Sequence, residues 1–155
     1  EVMTTPAGWI ASMAGIGLMP SAPGTWASAA TLPVGWVIAE LSGPWGLVGA
    51  ALAVCAIGTW AAGGVIRQIE TDDPSVIVID EMAGQLLALV IAPLSWTAYI
   101  AAFFAFRFFD LTKIWPASLV DRELGGGLGA MADDVLAGIY AMLVIFGAVQ
   151  LGWLT

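Results

Sequence analysis

The residues best suited to chemistry in this sequence are acidic side chains gathered in two short segments. Residues 67–81 carry five carboxylates and one arginine, a net charge of −4. Residues 107–134 carry five carboxylates and three basic residues, a net charge of −2, and only Glu1 and Glu40 among the acids lie elsewhere. Because hard divalent cations prefer oxygen ligands, the two segments predict a site for such a cation.

The first segment ends in Asp80 and Glu81, immediately before an apolar stretch. A structural explanation is that Asp80 caps a helix while Glu81 complements the helix dipole. A functional role explains better why two adjacent acids stand beside an apolar helix, since a charge at the bilayer centre costs at least about 2.5–3.5 kcal/mol. We predict that Asp80 binds a metal ion and that Glu81 is a further ligand or a general base.

The second segment offers a carboxylate with a cation on each side. Arg107, Asp110 and Lys113 recur at spacings of three residues, which places them within about a third of the circumference of a helix. A snorkelling salt bridge at the membrane interface would give the same pattern. We favour a site in which Asp110 binds metal while Arg107 and Lys113 hold phosphate oxygens.

A glycine-rich stretch and another pair of acids complete the second segment. Gly126 and Gly127 would let backbone N–H groups approach an anion closely, although such loops are often merely flexible. Asp133 and Asp134 precede the last apolar stretch, where they would be metal ligands or partners of a helix dipole. The net charge of −6 over both segments would repel phosphate, and a divalent cation would reverse this repulsion, polarise the phosphoryl oxygen and activate water.

Missing residue types exclude several phosphatase mechanisms. The sequence has no histidine, so a phosphohistidine intermediate is excluded. The single cysteine, Cys55, lacks the arginine-bearing phosphate loop of cysteine phosphatases, and no Asp-x-Asp pair is present. A metal-dependent mechanism remains, in which the nucleophile is water or an aspartate.

The composition places these residues in a membrane protein. Of the 155 residues, 60% are hydrophobic and 10% are charged, and a soluble domain of this size cannot bury so much apolar surface. We therefore predict an all-α, polytopic helical bundle that forms one integral-membrane domain over residues 1–155. A tight turn at 42–44 would separate the first two of three full spans, expected at about Trp26–Leu41, Gly46–Ile66 and Val135–Trp153.

Residues 84–106 form an apolar stretch interrupted at Pro93. As one kinked span, they would put the two acidic segments on opposite sides of the membrane. As a Pro-broken helical hairpin, they would return the chain to the side that it left. The positive-inside rule favours the hairpin, because all four basic residues then share the cytoplasmic side. A short interfacial or packed helix is expected within Ala7–Met19.

Three motifs resemble the phosphatidylglycerophosphatase A family. They are Gly15–Ser28, Asp73–Gly84, and a third motif from Phe106–Lys113 through Asp121 to Gly138. The resemblance spans roughly residues 12–140 and implies Mg²⁺-dependent hydrolysis of phosphatidylglycerophosphate to phosphatidylglycerol and inorganic phosphate in phospholipid biosynthesis. It also implies a multi-pass protein of the bacterial inner membrane with its site facing the cytoplasm. Thr25 and Ser28 would help the basic residues and the glycines to hold the phosphate.

Two alternative functions remain open. One is a metal-dependent phosphatase for another lipid phosphate. The other is a cation-binding membrane transporter, because intramembrane acids also mark ion pathways, although acids gathered at helix ends count against transport. The expected partners are a phospholipid substrate and the bilayer, with no nucleic acid and no obligatory protein partner. The residues assigned to catalysis are Asp80, Glu81, Asp110, Lys113 and Asp134, and the metal ligands are Asp80, Glu81, Asp110, Asp133 and Asp134.

Overall fold

The computed structural model describes residues 5–69, 77–112 and 126–154. Within these ranges the regular structure is helical and no β-strand is present, so the predicted all-α fold is confirmed. The described residues form five α-helices, and a single turn of 3₁₀ helix at Ile16–Leu18 lies between the first two. They are α1 (Pro6–Ala11), α2 (Pro23–Ile69), α3 (Ile79–Leu89), α4 (Trp96–Thr112) and α5 (Gly126–Gln150).

Helix α2 reverses its direction at Gly43. This residue has a φ of 69° and a ψ of −168°, a conformation that residues with a Cβ atom rarely adopt. A Cβ atom built on Gly35 would lie 3.7 Å from Cδ2 of Leu47, whereas twelve residues of straight helix would separate the two positions by about 18 Å. The two halves of α2 therefore fold against each other at the predicted turn.

In the part of the chain that the structure describes, two helices are long and apolar enough to cross a bilayer. They are Pro23–Arg67, which includes the reversal, and Met131–Gln150. Large apolar side chains such as Leu41, Trp45 and Phe104 are more than half exposed on the outer surface of the bundle. Exposed apolar surface of this kind suits lipid rather than water, which fits a membrane protein.

The apolar stretch at 84–106 is divided between α3 and α4. Helix α3 ends at Leu89, helix α4 begins at Trp96, and Pro93 lies in the turn between them. At the other end of this pair, Arg107 of α4 forms an ion pair with Glu81 of α3. The two helices are therefore antiparallel neighbours, and the first turn of α3 lies beside the last turns of α4.

Helices α3 and α5 approach to backbone contact where two glycines meet. A Cβ atom on Gly84 would lie 2.5 Å from the carbonyl oxygen of Asp134, and one on Gly138 would overlap the carbonyl group of Gly84. Neither position has room for a side chain. Gly84 follows Asp80 by four residues and Gly138 follows Asp134 by four, about one helical turn in each case. The glycine contact therefore places Asp80 and Asp134 at the same height along the neighbouring helices α3 and α5.

The short helix α1 is packed against the bundle and supports the chain that enters α3. Its N-cap is Thr5, whose Oγ1 accepts a hydrogen bond from the Gly8 N–H at 3.1 Å. At its other end, the buried Ala11 accepts a hydrogen bond through its carbonyl oxygen from the N–H of Val78 at 2.8 Å. Because Val78 immediately precedes α3, α1 helps to fix the position at which α3 begins.

Candidate active site

Five carboxylates from three helices gather at one end of the bundle. They form two groups, and within each group the oxygen atoms that would bind a metal ion lie within 4.8 Å of one another. Asp80, Glu81 and Asp134 form the first group. Asp110, Asp133 and Asp134 form the second group. The structure thus brings together all five residues predicted as metal ligands, and Asp134 belongs to both groups.

Helix α3 presents its two acids from its first turn. The N-cap of α3 is Val78, and no side chain makes a capping hydrogen bond there. Asp80 instead accepts a hydrogen bond through Oδ1 from the N–H of Glu81 at 3.1 Å. The capping interpretation of Asp80 is therefore wrong, because the helix begins two residues earlier than capping by Asp80 would require. Both acids still lie where a carboxylate interacts favourably with the helix dipole.

Helix α5 begins earlier than the sequence suggested. We expected a glycine-rich loop followed by a span from about Val135, but Gly126 and Gly127 already belong to α5. Glycine disfavours a helix by about 1 kcal/mol relative to alanine, which is why a loop was expected. Met131 is 3% exposed and packs in an apolar cluster with α2 and α3, and this burial favours the longer helix. The expectation of a loop at these glycines is therefore wrong.

The acids of α5 lie in the body of the helix. Asp133 and Asp134 follow the start of α5 by seven and eight residues and are buried. Since the effect of the dipole falls off within the first turn, neither residue is a partner of the helix dipole. The expectation that the acids gather at helix ends is therefore wrong for this pair, and burial at this depth requires another source of stabilisation.

Arg107 connects the two groups of carboxylates. Its Nη1 donates to Oε2 of Glu81 at 3.0 Å and to Oδ2 of Asp110 at 2.6 Å. Its Nε is buried and has no hydrogen-bond partner among the described residues. A guanidinium group with a spare donor beside a candidate cation site is suited to hold an oxygen atom of phosphate. Lys113, the other predicted phosphate-binding cation, lies outside the described residues.

The first turn of α2 borders the carboxylates. A Cβ atom on Gly24 would lie 2.8 Å from Oε1 of Glu81 and 3.3 Å from Nη1 of Arg107. Thr25 belongs to the same first turn, whose N–H groups have no partners within a helix and favour anions. Ser28 lies about one turn further along and is fully buried. The structure therefore places Thr25 in the turn that borders the site and Ser28 about one turn further along the same helix.

A buried amide near the site was missed by sequence reasoning. Gln85 is fully buried, and neither its Oε1 nor its Nε2 has a hydrogen-bond partner among the described residues. The Oγ of Ser28 is also buried and without a partner there. Such groups usually bind ordered water or a ligand. The available signal was a polar residue within an apolar run, four residues after Glu81.

The local electrostatics favour a cation. Five carboxylates meet here, and among the described residues Arg107 is the basic side chain that contacts them. The donor set consists of carboxylate oxygens and fits a hard divalent cation such as Mg²⁺.

Comparison with known proteins places the chain in a protein family. A family model described as Phosphatidylglycerophosphatase A matches residues 9–149. The phosphatidylglycerophosphatase A of Haemophilus influenzae is 40% identical over 134 residues, covering 85% of this chain and 82% of that protein. The protein of the same name from Escherichia coli is 33% identical over 147 residues, covering 93% and 84%.

Another relative carries a different name. A putative phosphatidylinositol-3-phosphatase of Bacteroides thetaiotaomicron is 37% identical over 139 residues, covering 84% of this chain and 86% of that protein. No solved structure matches the chain significantly. The names of these relatives agree on a lipid phosphatase and differ in the lipid.

Proposed function

Because the chain belongs to the phosphatidylglycerophosphatase A family, a family of phosphatases, we propose that it hydrolyses phosphatidylglycerophosphate to phosphatidylglycerol and inorganic phosphate. The observation that carries this proposal is Arg107, which pairs with Glu81 and Asp110 and keeps a buried donor without a partner. A donor in this place suits the phosphate of a monoester. A cation transporter, the alternative from another class, would have no use for it.

The five carboxylates fit Mg²⁺ as the cofactor. Asp80, Asp110, Asp133 and Asp134 would be its ligands, and Glu81 would be a further ligand or a general base. When bound, Mg²⁺ neutralises charge, polarises the phosphoryl oxygen and lowers the pKa of a coordinated water. This assignment is supported by the two groups of closely spaced oxygens.

The residues of the chain would position the phosphate and move the proton. Arg107, together with Lys113, would hold phosphate oxygens and thereby orient the phosphorus atom. The N–H groups of the first turn of α2 and the hydroxyl group of Thr25 would donate further hydrogen bonds. Glu81 would accept a proton from the attacking water. Gly126 and Gly127 remain proposed phosphate contacts at the start of α5.

We place the site at the cytoplasmic side of the inner membrane. In this arrangement α3 and α4 form a hairpin that turns at Pro93, which the ion pair between Glu81 and Arg107 supports. Exposed tryptophans favour interfaces between lipid and water. Three exposed tryptophans lie at the end of the bundle opposite the carboxylates, where the chain turns at Gly43 and Pro93. They are Trp45, Trp96 and Trp153.

The length of the first half of α2 agrees with this placement. From the exposed Trp26 to Ser42, the helix rises about 25 Å, close to the thickness of about 30 Å for the hydrocarbon core. Trp60 is exposed on the second half of α2, and the nearby Gly58 packs against Ile79 at the start of α3. Trp26 and Trp60 would therefore mark the interface nearer to the site.

The decisive experiment is release of inorganic phosphate by the purified chain in detergent with Mg²⁺. Phosphatidylglycerophosphate should be hydrolysed with a higher kcat/KM than phosphatidylinositol 3-phosphate or phosphatidic acid. A preference for phosphatidylinositol 3-phosphate would contradict the proposed substrate and would agree with the name of the Bacteroides relative. Failure to release phosphate from all three lipids would contradict the proposed activity.

A further inference from the structure

The charge of the carboxylate cluster is too large for one divalent cation. Among the described residues, the cluster contains five carboxylates and the guanidinium group of Arg107. Five negative charges against one positive charge give a net charge of −4 when all of them are ionised. One divalent cation would leave −2 facing an anionic substrate, whereas two would bring the cluster to neutrality. Buried charge without compensation is costly.

The arrangement of the carboxylates matches two cations rather than one. Asp80 and Glu81 occur only in the first group, and Asp110 and Asp133 occur only in the second. Asp134 is common to both, and a carboxylate has two oxygen atoms to offer. We infer that the protein binds two divalent cations side by side, bridged by Asp134. This inference rests on the proposed phosphatase function and specifies the metal content of the same site.

Asp134 has a carboxylate oxygen available for a second cation, as a bridging ligand requires. The residue is 2% exposed, and its Oδ2 is buried without a hydrogen-bond partner among the described residues. Leaving a buried carboxylate oxygen without a partner is costly, so a ligand at this atom is expected. The backbone of Asp134 is held against Gly84, which fixes the direction in which the side chain leaves α5.

The two groups also come from different helices. The first group combines α3 with α5, and the second combines α4 with α5. Arg107 contacts one member of each, Glu81 and Asp110. In two-metal phosphatases the ions lie about 3.5–4 Å apart and clamp the attacking and leaving oxygens. A phosphate beside Arg107 would thus lie next to both cation sites.

The test uses Mn²⁺ as the probe, with the full chain in detergent and without substrate. Equilibrium dialysis should give two Mn²⁺ per chain, and electron paramagnetic resonance should show an exchange-coupled pair. Asp80→Asn and Asp110→Asn each remove a ligand from one group, so each should halve the bound Mn²⁺ and leave an uncoupled signal. Asp134→Asn should abolish the coupling. Glu40→Gln, distant from the cluster, should keep two coupled ions.

The wild-type stoichiometry decides the matter even if a variant fails to fold. A single uncoupled Mn²⁺ per wild-type chain, at saturation, would overturn the inference. So would complete loss of Mn²⁺ from both Asp80→Asn and Asp110→Asn in chains that retain their helical circular dichroism. One Mn²⁺ with normal phosphate release would refute two-cation binding alone. Two Mn²⁺ without phosphate release from any lipid would refute the proposed function alone.

Discussion

Gly84 and Gly138 meet with no side chain between them, and each lies one helical turn after a carboxylate of the site. The contact joins α3 to α5 through main-chain atoms. Because no rotamer can change the separation of two backbones, the glycine pair sets the distance between the backbones that carry Asp80 and Asp134. Preorganised placement of charged groups is a large source of catalytic power.

Gly138→Ala should damage both the fold and the activity. The added methyl group would overlap the carbonyl group of Gly84, and overpacking of this kind costs about 1–3 kcal/mol. A displacement of about 1 Å at a catalytic group can lower the rate a hundredfold. We therefore expect a lower melting temperature and a lower kcat, measured by thermal unfolding and phosphate release.

Gly147→Ala is the matched control in the same helix. A Cβ atom at this position meets nothing within 4 Å, and alanine favours a helix over glycine by about 1 kcal/mol. This variant should be as stable as the wild type or more stable, with normal kcat. Equal effects of the two substitutions would mean that the contact between α3 and α5 does not position the site.

Replacing a site aspartate with asparagine should separate activity from stability. Each of the variants should lower kcat by about a hundredfold or more, because electrostatic stabilisation is lost. Without metal, each should melt at the same temperature as the wild type or higher, since repulsion among buried carboxylates is relieved. The variants are Asp80→Asn, Asp110→Asn, Asp133→Asn and Asp134→Asn. The measurements are kcat per folded molecule and thermal unfolding in a chelator.

The same variants test the structural alternative. If the acids only stabilise the fold, turnover should be normal and the melting temperature should fall with each substitution. Glu40→Gln, near the reversal in α2, is the control and should change neither quantity. Normal turnover in all four aspartate variants would remove them from the catalytic machinery.

Metal removal should abolish phosphate release. Exhaustive chelation should leave activity at background, and added Mg²⁺ or Mn²⁺ should restore it. Ca²⁺ should serve poorly, because it takes more ligands in a looser geometry than Mg²⁺. Undiminished hydrolysis after chelation, with residual metal measured by mass spectrometry, would exclude a metal-dependent mechanism.

Arg107→Lys should impair catalysis although it keeps the charge. A lysine is a point charge and cannot reproduce the planar donor fork of arginine, which contacts Glu81 and Asp110 while leaving Nε for a ligand. We expect kcat/KM to fall at least about tenfold. Arg67→Lys, on the exposed end of α2, is the matched control. A wild-type kcat/KM in Arg107→Lys would show that the charge alone suffices.

Labelling of single cysteines can test the membrane topology. In a Cys55→Ala background, residues replaced by cysteine at positions 67 and 122 should react with an impermeant reagent from the same side of sealed vesicles. Residue 122 lies outside the described residues, so this measurement adds information that the structure does not contain. Reaction from opposite sides would contradict the hairpin at Pro93 and the cytoplasmic placement of both acidic segments.

Sequence alone could predict the helical fold and the residue types of the site, because both follow from local composition. Apolar runs specify helices in lipid, and the acids beside them stand out. The start of α5 was mispredicted, because glycine propensity at Gly126 favours a loop while the burial of Met131 favours a helix. The ion pair of Arg107 with Asp110 follows from their spacing of three residues. Its ion pair with Glu81, 26 residues away, was not predictable, because that contact depends on how α3 and α4 pack.

Arg107 pairs with two carboxylates at once, and this would make the binding of the proposed cation and the binding of phosphate thermodynamically dependent on each other. Nη1 contacts Glu81 and Asp110, and each of these belongs to a different carboxylate group. A cation bound to either carboxylate would compete with the guanidinium group and release donors that phosphate could use. Phosphate would in turn hold Arg107 away from the carboxylates. By linkage, each proposed ligand would raise the affinity for the other by the same factor, and the site would fill cooperatively.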